Sequence, residues 1–123
     1  MKILVVDDNA ALVDGINSFF PKRGEARVAA ECCRSFAEAI MAIGRHHPTI
    51  ILLDDDLGKP RDGLEIAEGL KEQNPDRYEI FSITGTQNQD ILDGYKDLGV
   101  PILKKEEVSV IQWIKERLAQ DPQ

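Results

Sequence analysis

Apolar runs of strand length alternate with stretches of helical period along the 123 residues. That pattern specifies an α/β domain built on a parallel sheet. Strands are expected at residues 2–6, 27–31, 49–53, 79–83 and 101–103. The first and third are the most continuously apolar, so both of their faces should be covered and they should lie centrally. Between them, Leu12, Ile16 and Phe19 form an i, i+4, i+7 stripe behind a cap at Asn9, and Phe36, Ile40 and Ile43 form a second stripe of helical period. Each stripe is expected to bury one helix face. Ser35 and Glu38 have the spacing of a capping box, Gly44 with Pro48 beyond it stops that helix, and Asn74-Pro75 closes the next. Further helices are expected over residues 63–73, 89–98 and 107–119, without internal repeats or low-complexity linkers.

Composition narrows the function classes. The length and a 42% hydrophobic content suit one core, so residues 1–123 are expected to form a single domain with no output domain. Fifteen basic against twenty-two acidic residues give a net charge of −7, which excludes a nucleic-acid surface, because phosphate backbones demand a basic face. The apolar run at the start meets aspartates after six residues, too short for a signal peptide or a membrane span, and a cytoplasmic location is expected. Cys32 and Cys33 are adjacent, which fits neither a disulfide framework nor spaced zinc ligands, so they read as reduced packing residues. His46 and His47 fall at a helix end, where a surface dipole interaction accounts for them.

Three strands end in charged groups: Asp7-Asp8 after the first, Asp54-Asp55-Asp56 after the third and Lys104-Lys105 after the fifth. In an open parallel sheet the strand C-terminal ends converge on one crevice. The chain is therefore expected to build an acidic pocket with a lysine beside it. Unit charges about 4 Å apart repel by roughly 4 kcal/mol at an effective dielectric near 20, so such a cluster wants a cation. A hard, oxygen-liking divalent ion that keeps several waters and also binds phosphate oxygens is Mg²⁺. Neighbours in an extended chain point to opposite sides, so the three successive aspartates cannot all be ligands, and Asp55 is expected to be a solvated loop charge.

These residues resemble the receiver domain of two-component response regulators, and the resemblance covers essentially the whole chain. Residues 1–9 (MKILVVDDN) look like the family's first strand with its acidic pair, and residues 48–54 (PTIILLD) like the strand bearing the phosphoacceptor. Ile83-Thr84-Gly85 resembles the fourth-strand end with its switch hydroxyl, and Gly99 followed by Ile102-Leu103-Lys104 resembles the fifth strand with its lysine. The resemblance implies a five-stranded sheet of order 2-1-3-4-5 flanked by five helices, the flavodoxin-like doubly wound architecture. It implies Mg²⁺ held by Asp8, Asp54 and the backbone carbonyl of Asp56, with Asp7 acting through a bound water. Asp54 would accept a phosphoryl group from the phosphohistidine of a sensor histidine kinase or histidine phosphotransfer protein, with Thr84 and Lys104 neutralising the transferred group. The chain would modify itself and would not turn over an external substrate. A homodimer through the fourth helix, fifth strand and fifth helix is compatible with it, and no membrane partner is implied.

The chain departs from the family pattern in two places. The loop after Asp56 runs Leu57-Gly58-Lys59-Pro60-Arg61-Asp62-Gly63, with its glycine about one residue late, and Asp56 and Thr86 occupy positions that tune phosphoryl lifetime in this family. On the last strand, aligning Lys104 with the family lysine puts Pro101 where a switch aromatic commonly stands; the alternative register makes Lys105 the phosphate-binding lysine and Ile102 the switch position. Neither register supplies an aromatic. On the last helix Trp113 is expected to cover the edge of the core beside Val110, Ile111, Ile114 and Leu118. Two other readings stay open: a haloacid-dehalogenase-like phosphatase using Asp54 and Asp56, and a receiver-shaped binding module that never takes phosphate.

Overall fold

A computed structural model of the chain describes residues 1–20, 27–105 and 109–120. Five strands alternate with five helices: β1 (Ile3–Asp7), α1 (Ala10–Phe19), β2 (Val28–Cys32), α2 (Phe36–His46), β3 (Ile50–Asp54), α3 (Asp62–Gln73), β4 (Glu79–Thr84), α4 (Gln89–Asp97), β5 (Ile102–Lys104) and α5 (Val110–Ala119). All neighbouring strands pair in parallel, in the order β2-β1-β3-β4-β5. The two strands expected to be central are β1 and β3, buried along their whole lengths. The expected start of the last helix at Glu107 lies outside the described residues.

Strand alternation splits the core into two layers. Leu4, Val6, Ile51 and Leu53 face a layer closed by α2, α3 and α4, whereas Ile3, Val5, Ile50 and Leu52 face one closed by α1 and α5. Trp113 packs edge-to-face on Phe81, ring centroids 4.8 Å apart, and seals the margin of the second layer as its sequence position suggested. Side-chain caps fix where α1, α2, α4 and α5 begin, whereas α3 has none. Asn9, Ser35, Asn88 and Ser109 each accept a backbone N–H from the first turn of the helix that follows.

Two expected stripes are corrected. Phe19 is 50% exposed and Phe36 and Ile40 also face outward; the buried positions are Val13 and Ile16 on α1 and Ala39, Ala42 and Ile43 on α2. The reason is close packing. On α2 the small Ala39 and Ala42 let the helix approach the core, with Ile43 buried beside them, while Phe36, Ile40 and Met41 stay on the rim.

Candidate functional site

β1 and β3 lie side by side, and the chain leaves β1 for β2 on one flank but reaches β3 on the other, so their C-terminal ends open a crevice. β1 delivers Asp7, fully buried, and then turns at once: Asp7 Oδ1 accepts the Asn9 N–H at 2.9 Å, and Asn9 Oδ1 accepts the Leu12 N–H at 3.1 Å. Asp8 is exposed between them. β3 delivers Asp54, only 3% exposed, and the carboxylates of Asp7, Asp8 and Asp54 can bring oxygens within 4.8 Å of one another. A lysine ammonium closes the group: Lys105 Nζ stands 3.1 Å from Asp54 Oδ1 and 3.3 Å from Asp7 Oδ2. Buried Thr84 ends β4, its hydroxyl oxygen accepting the Thr86 N–H at 2.9 Å. Asp8, Asp54, Asp55, Asp56, Pro60, Thr84, Gly85, Thr86 and Lys105 line a cleft of about 350 Å³.

The electrostatics follow from this crowding. Burial and then the Asp7 charge push the Asp54 carboxyl up to about 7, against the opposing pull of the Lys105 ammonium. Burial works against the charge on Lys105, but Asp54 and Asp7 outweigh it and hold the ammonium above the ordinary lysine range. With all three carboxylates ionised, the single ammonium leaves two negative charges in excess. Asp7 Oδ2 is buried, with the Lys105 ammonium 3.3 Å away. An all-oxygen donor set with this charge excess fits Mg²⁺ or a similar hard divalent ion.

A pH dependence follows for the protein in chelator. Because the Asp54 pKa is raised from 3.8 to about 7, the folded state binds more protons than the unfolded state between those values. Stability must therefore fall as pH rises through that window and stay low above it. Asp55, raised by burial, adds a change of the same sign. Urea melts from pH 4.5 to 8 are expected to show the loss, and Asp54→Asn should flatten much of it; a wild-type slope that survives this substitution would place its origin elsewhere.

The structure brings Asp8, Asp54, Asp56 and Thr84 to one cleft, with Asp7 buried in the cluster with Asp8 and Asp54, as the sequence suggested, but places Lys105, the alternative register, where Lys104 was expected. Lys104 is the last residue of β5, paired with Thr84, and is exposed. Ile102 packs toward one layer and Leu103 toward the other, so the strand ends one residue later than expected, and the turn residue Lys105 reaches the carboxylates. The Lys105 N–H still donates to the Thr84 carbonyl at 3.1 Å, which fixes that turn against β4. Asp55 is a second correction. It is no solvated loop charge but is 3% exposed and accepts a hydrogen bond from the Tyr95 hydroxyl at 2.8 Å. Asp56 is exposed and its carboxylate accepts the Gly58 N–H at 3.1 Å, bracing the unusual loop.

Tyr95 was the residue sequence reading missed. Ile91 and Tyr95 are an i, i+4 pair on the buried face of α4, and a buried tyrosine hydroxyl needs a partner, which was the signal available.

The fold and the cleft together define a doubly wound α/β module of the receiver class, with its acidic cluster and lysine at the strand C-terminal ends. Residues 3–111 match the response regulator receiver domain family, and the chain belongs to that family: it is a receiver domain of two-component signalling. Solved structures with the same fold include a CheY-like response regulator receiver domain protein from Methanospirillum hungatei JF-1, 22% identical at a TM-score of 0.72, covering 97% of this chain and 94% of that one. The N-terminal domain of an uncharacterized protein from Wolinella succinogenes is 21% identical, with a TM-score of 0.74 and coverages of 97% and 90%. The receiver domain of NtrX from Brucella abortus is 26% identical, with a TM-score of 0.67 and coverages of 98% and 100%. The search of curated proteins gives no match. No helix among the described residues is long and apolar enough to cross a membrane.

Proposed function

We propose that this domain accepts a phosphoryl group on Asp54 in a Mg²⁺-dependent transfer from the phosphohistidine of a sensor kinase or histidine phosphotransfer protein. The observation that carries this reading is the position of Asp54, a buried carboxylate between two other aspartates with the Lys105 ammonium 3.1 Å away and an open cleft in front. An Asp54 carboxylate oxygen forms the new O–P bond as the donor's N–P bond breaks, and the imidazole leaves with the electron pair of the broken bond. Asp8, Asp54 and the Asp56 carbonyl would hold the cation, with Asp7 acting through water; when bound, Mg²⁺ supplies charge neutralisation for the phosphoryl oxygens. Lys105 stands where it can neutralise a further oxygen, and the Thr84 hydroxyl, now accepting from Thr86, lies on the same cleft wall. The domain would then act on itself and not on an external substrate.

Incubation with acetyl phosphate, followed by intact-protein mass, tests the proposal. A gain of one phosphoryl group is expected with Mg²⁺ and not with chelator, and none in Asp54→Ala. No gain in wild type would overturn the reading in favour of a binding module. Release of phosphate over many turnovers would favour the phosphatase reading, against which the engagement of the Asp56 carboxylate by Gly58 N–H already counts.

A further inference from the structure

A buried polar pair next to the phosphoacceptor has no part in the chemistry just described. Tyr95 is fully buried on α4, Asp55 is nearly so at the end of β3, and the hydroxyl donates to Asp55 Oδ1 at 2.8 Å. An ionisable group placed there costs free energy that an apolar side chain of similar size would not. Burial raises Asp55, and its bond from Tyr95 works the other way.

The surroundings leave the pair little room. The Gly63 N–H donates to the Asp55 carbonyl at 2.9 Å, and a Cβ at Gly63 would lie 2.7 Å from the Tyr95 hydroxyl and 2.8 Å from Asp55 Cα. At Gly94 the Leu64 side chain fills the space a Cβ would occupy, 2.6 Å away. The middle of α4 is thus fixed against the segment that carries Asp54 and Asp56. Its N-terminus is tied to the opposite wall of the cleft by a relay in which Thr86 N–H donates to Thr84 Oγ1, Asn88 N–H to Thr86 Oγ1 and Asp90 N–H to Asn88 Oδ1. One helix therefore answers to both β3 and β4. The outer side of the same helix borders a surface groove of about 330 Å³, shared by Leu92 and Lys96 with Val100, Pro101 and Ile102.

We propose that the Tyr95–Asp55 hydrogen bond positions the Asp54–Asp56 segment and couples the seating of α4 to the site, with Tyr95 a positioning residue. The idea rests on Asp54 being the phosphoacceptor. It supplies a route from the cleft to a surface element that uses an aromatic on α4, where β5 carries none.

Tyr95→Phe removes one oxygen and keeps the ring, and Asp55→Asn keeps an acceptor. The variants are compared by acetyl phosphate labelling rate across a Mg²⁺ titration, by hydrogen exchange of the α4 amides and by unfolding midpoint. Tyr95→Phe is expected to stay folded, to label about tenfold more slowly at saturating Mg²⁺ and to exchange faster in α4. Asp55→Asn should remain within about twofold of wild type, and the double variant should be no slower than Tyr95→Phe alone. A Tyr95→Phe rate within twofold of wild type, with α4 exchange unchanged, would overturn the proposal, as would an equal loss in Asp55→Asn. If Tyr95→Phe does not fold, Asp55→Ala is read by the same criteria. Should wild type take no phosphoryl group, the functional reading fails, and α4 exchange with Mg²⁺ binding by calorimetry still decides whether the pair positions the site.

Discussion

Lys105→Ala is expected to slow phosphoryl incorporation by about a hundredfold, whereas Lys104→Ala should change it by less than about twofold. The two lysines are adjacent in sequence but differ in position. Lys105 Nζ contacts Asp54 Oδ1 and Asp7 Oδ2, and it is the described ammonium that does so; Lys104 is exposed at the end of β5. A cation aimed at developing phosphoryl charge in a half-buried cleft acts where the dielectric is low, so its loss is felt mainly in the transition state. The same substitution removes a positive charge from beside the carboxylates. Mg²⁺ affinity should therefore stay level or rise as the labelling rate falls, opposite signs that a general collapse of the site would not give. Rates with acetyl phosphate at saturating Mg²⁺, with separate titration of Mg²⁺ binding, check both. A hundredfold loss in Lys104→Ala with Lys105→Ala intact would show that the β5 turn rearranges before transfer.

Much of this arrangement was legible because parallel sheets write their order into hydrophobic runs. Ile3–Asp7 and Ile50–Asp54 are apolar up to the last residue, which marks them as central and places Asp7 and Asp54 at the crevice. Lys105 was harder to place. A strand of three residues offers too short an alternation to fix its end, and the register with Thr84 comes from pairing to β4, a tertiary fact. Asp55 was misread for a similar reason: alternation says that it points away from Asp54, but not that a tyrosine forty residues later waits on that side. The stripes on α1 and α2 held at Ile16 and Ile43 but not at Phe19, Phe36 and Ile40, because large apolar residues draw attention, while the close approach of α2 depends on Ala39 and Ala42. In each miss the competing signal was long-range packing.

Gly63→Ala is expected to destabilise the domain by about 3 kcal/mol, a fall in Tm on the order of 10 °C, while Gly69→Ala on the same helix should stabilise it by about 0.5–1 kcal/mol. Both glycines lie in α3, so helix propensity alone predicts a gain at each. Their surroundings differ. At Gly69 a Cβ meets nothing within 4 Å, but at Gly63 it would be driven into the Asp54 carbonyl oxygen, beside the Tyr95 hydroxyl and Asp55 Cα. Two of those three obstacles are backbone, which cannot rotate away, so either α3 retreats or the end of β3 moves. Retreat stretches the Gly63 N–H bond to the Asp55 carbonyl; movement of β3 displaces Asp54 itself. Loss of stability in Gly63→Ala should therefore come with slower labelling of Asp54 even at temperatures where the variant is fully folded, a pairing that a distant destabilising substitution would not produce. Thermal melts of both variants and labelling rates at 15 °C separate these effects, and a Gly63→Ala protein as stable as Gly69→Ala would show that the first turn of α3 yields without disturbing β3.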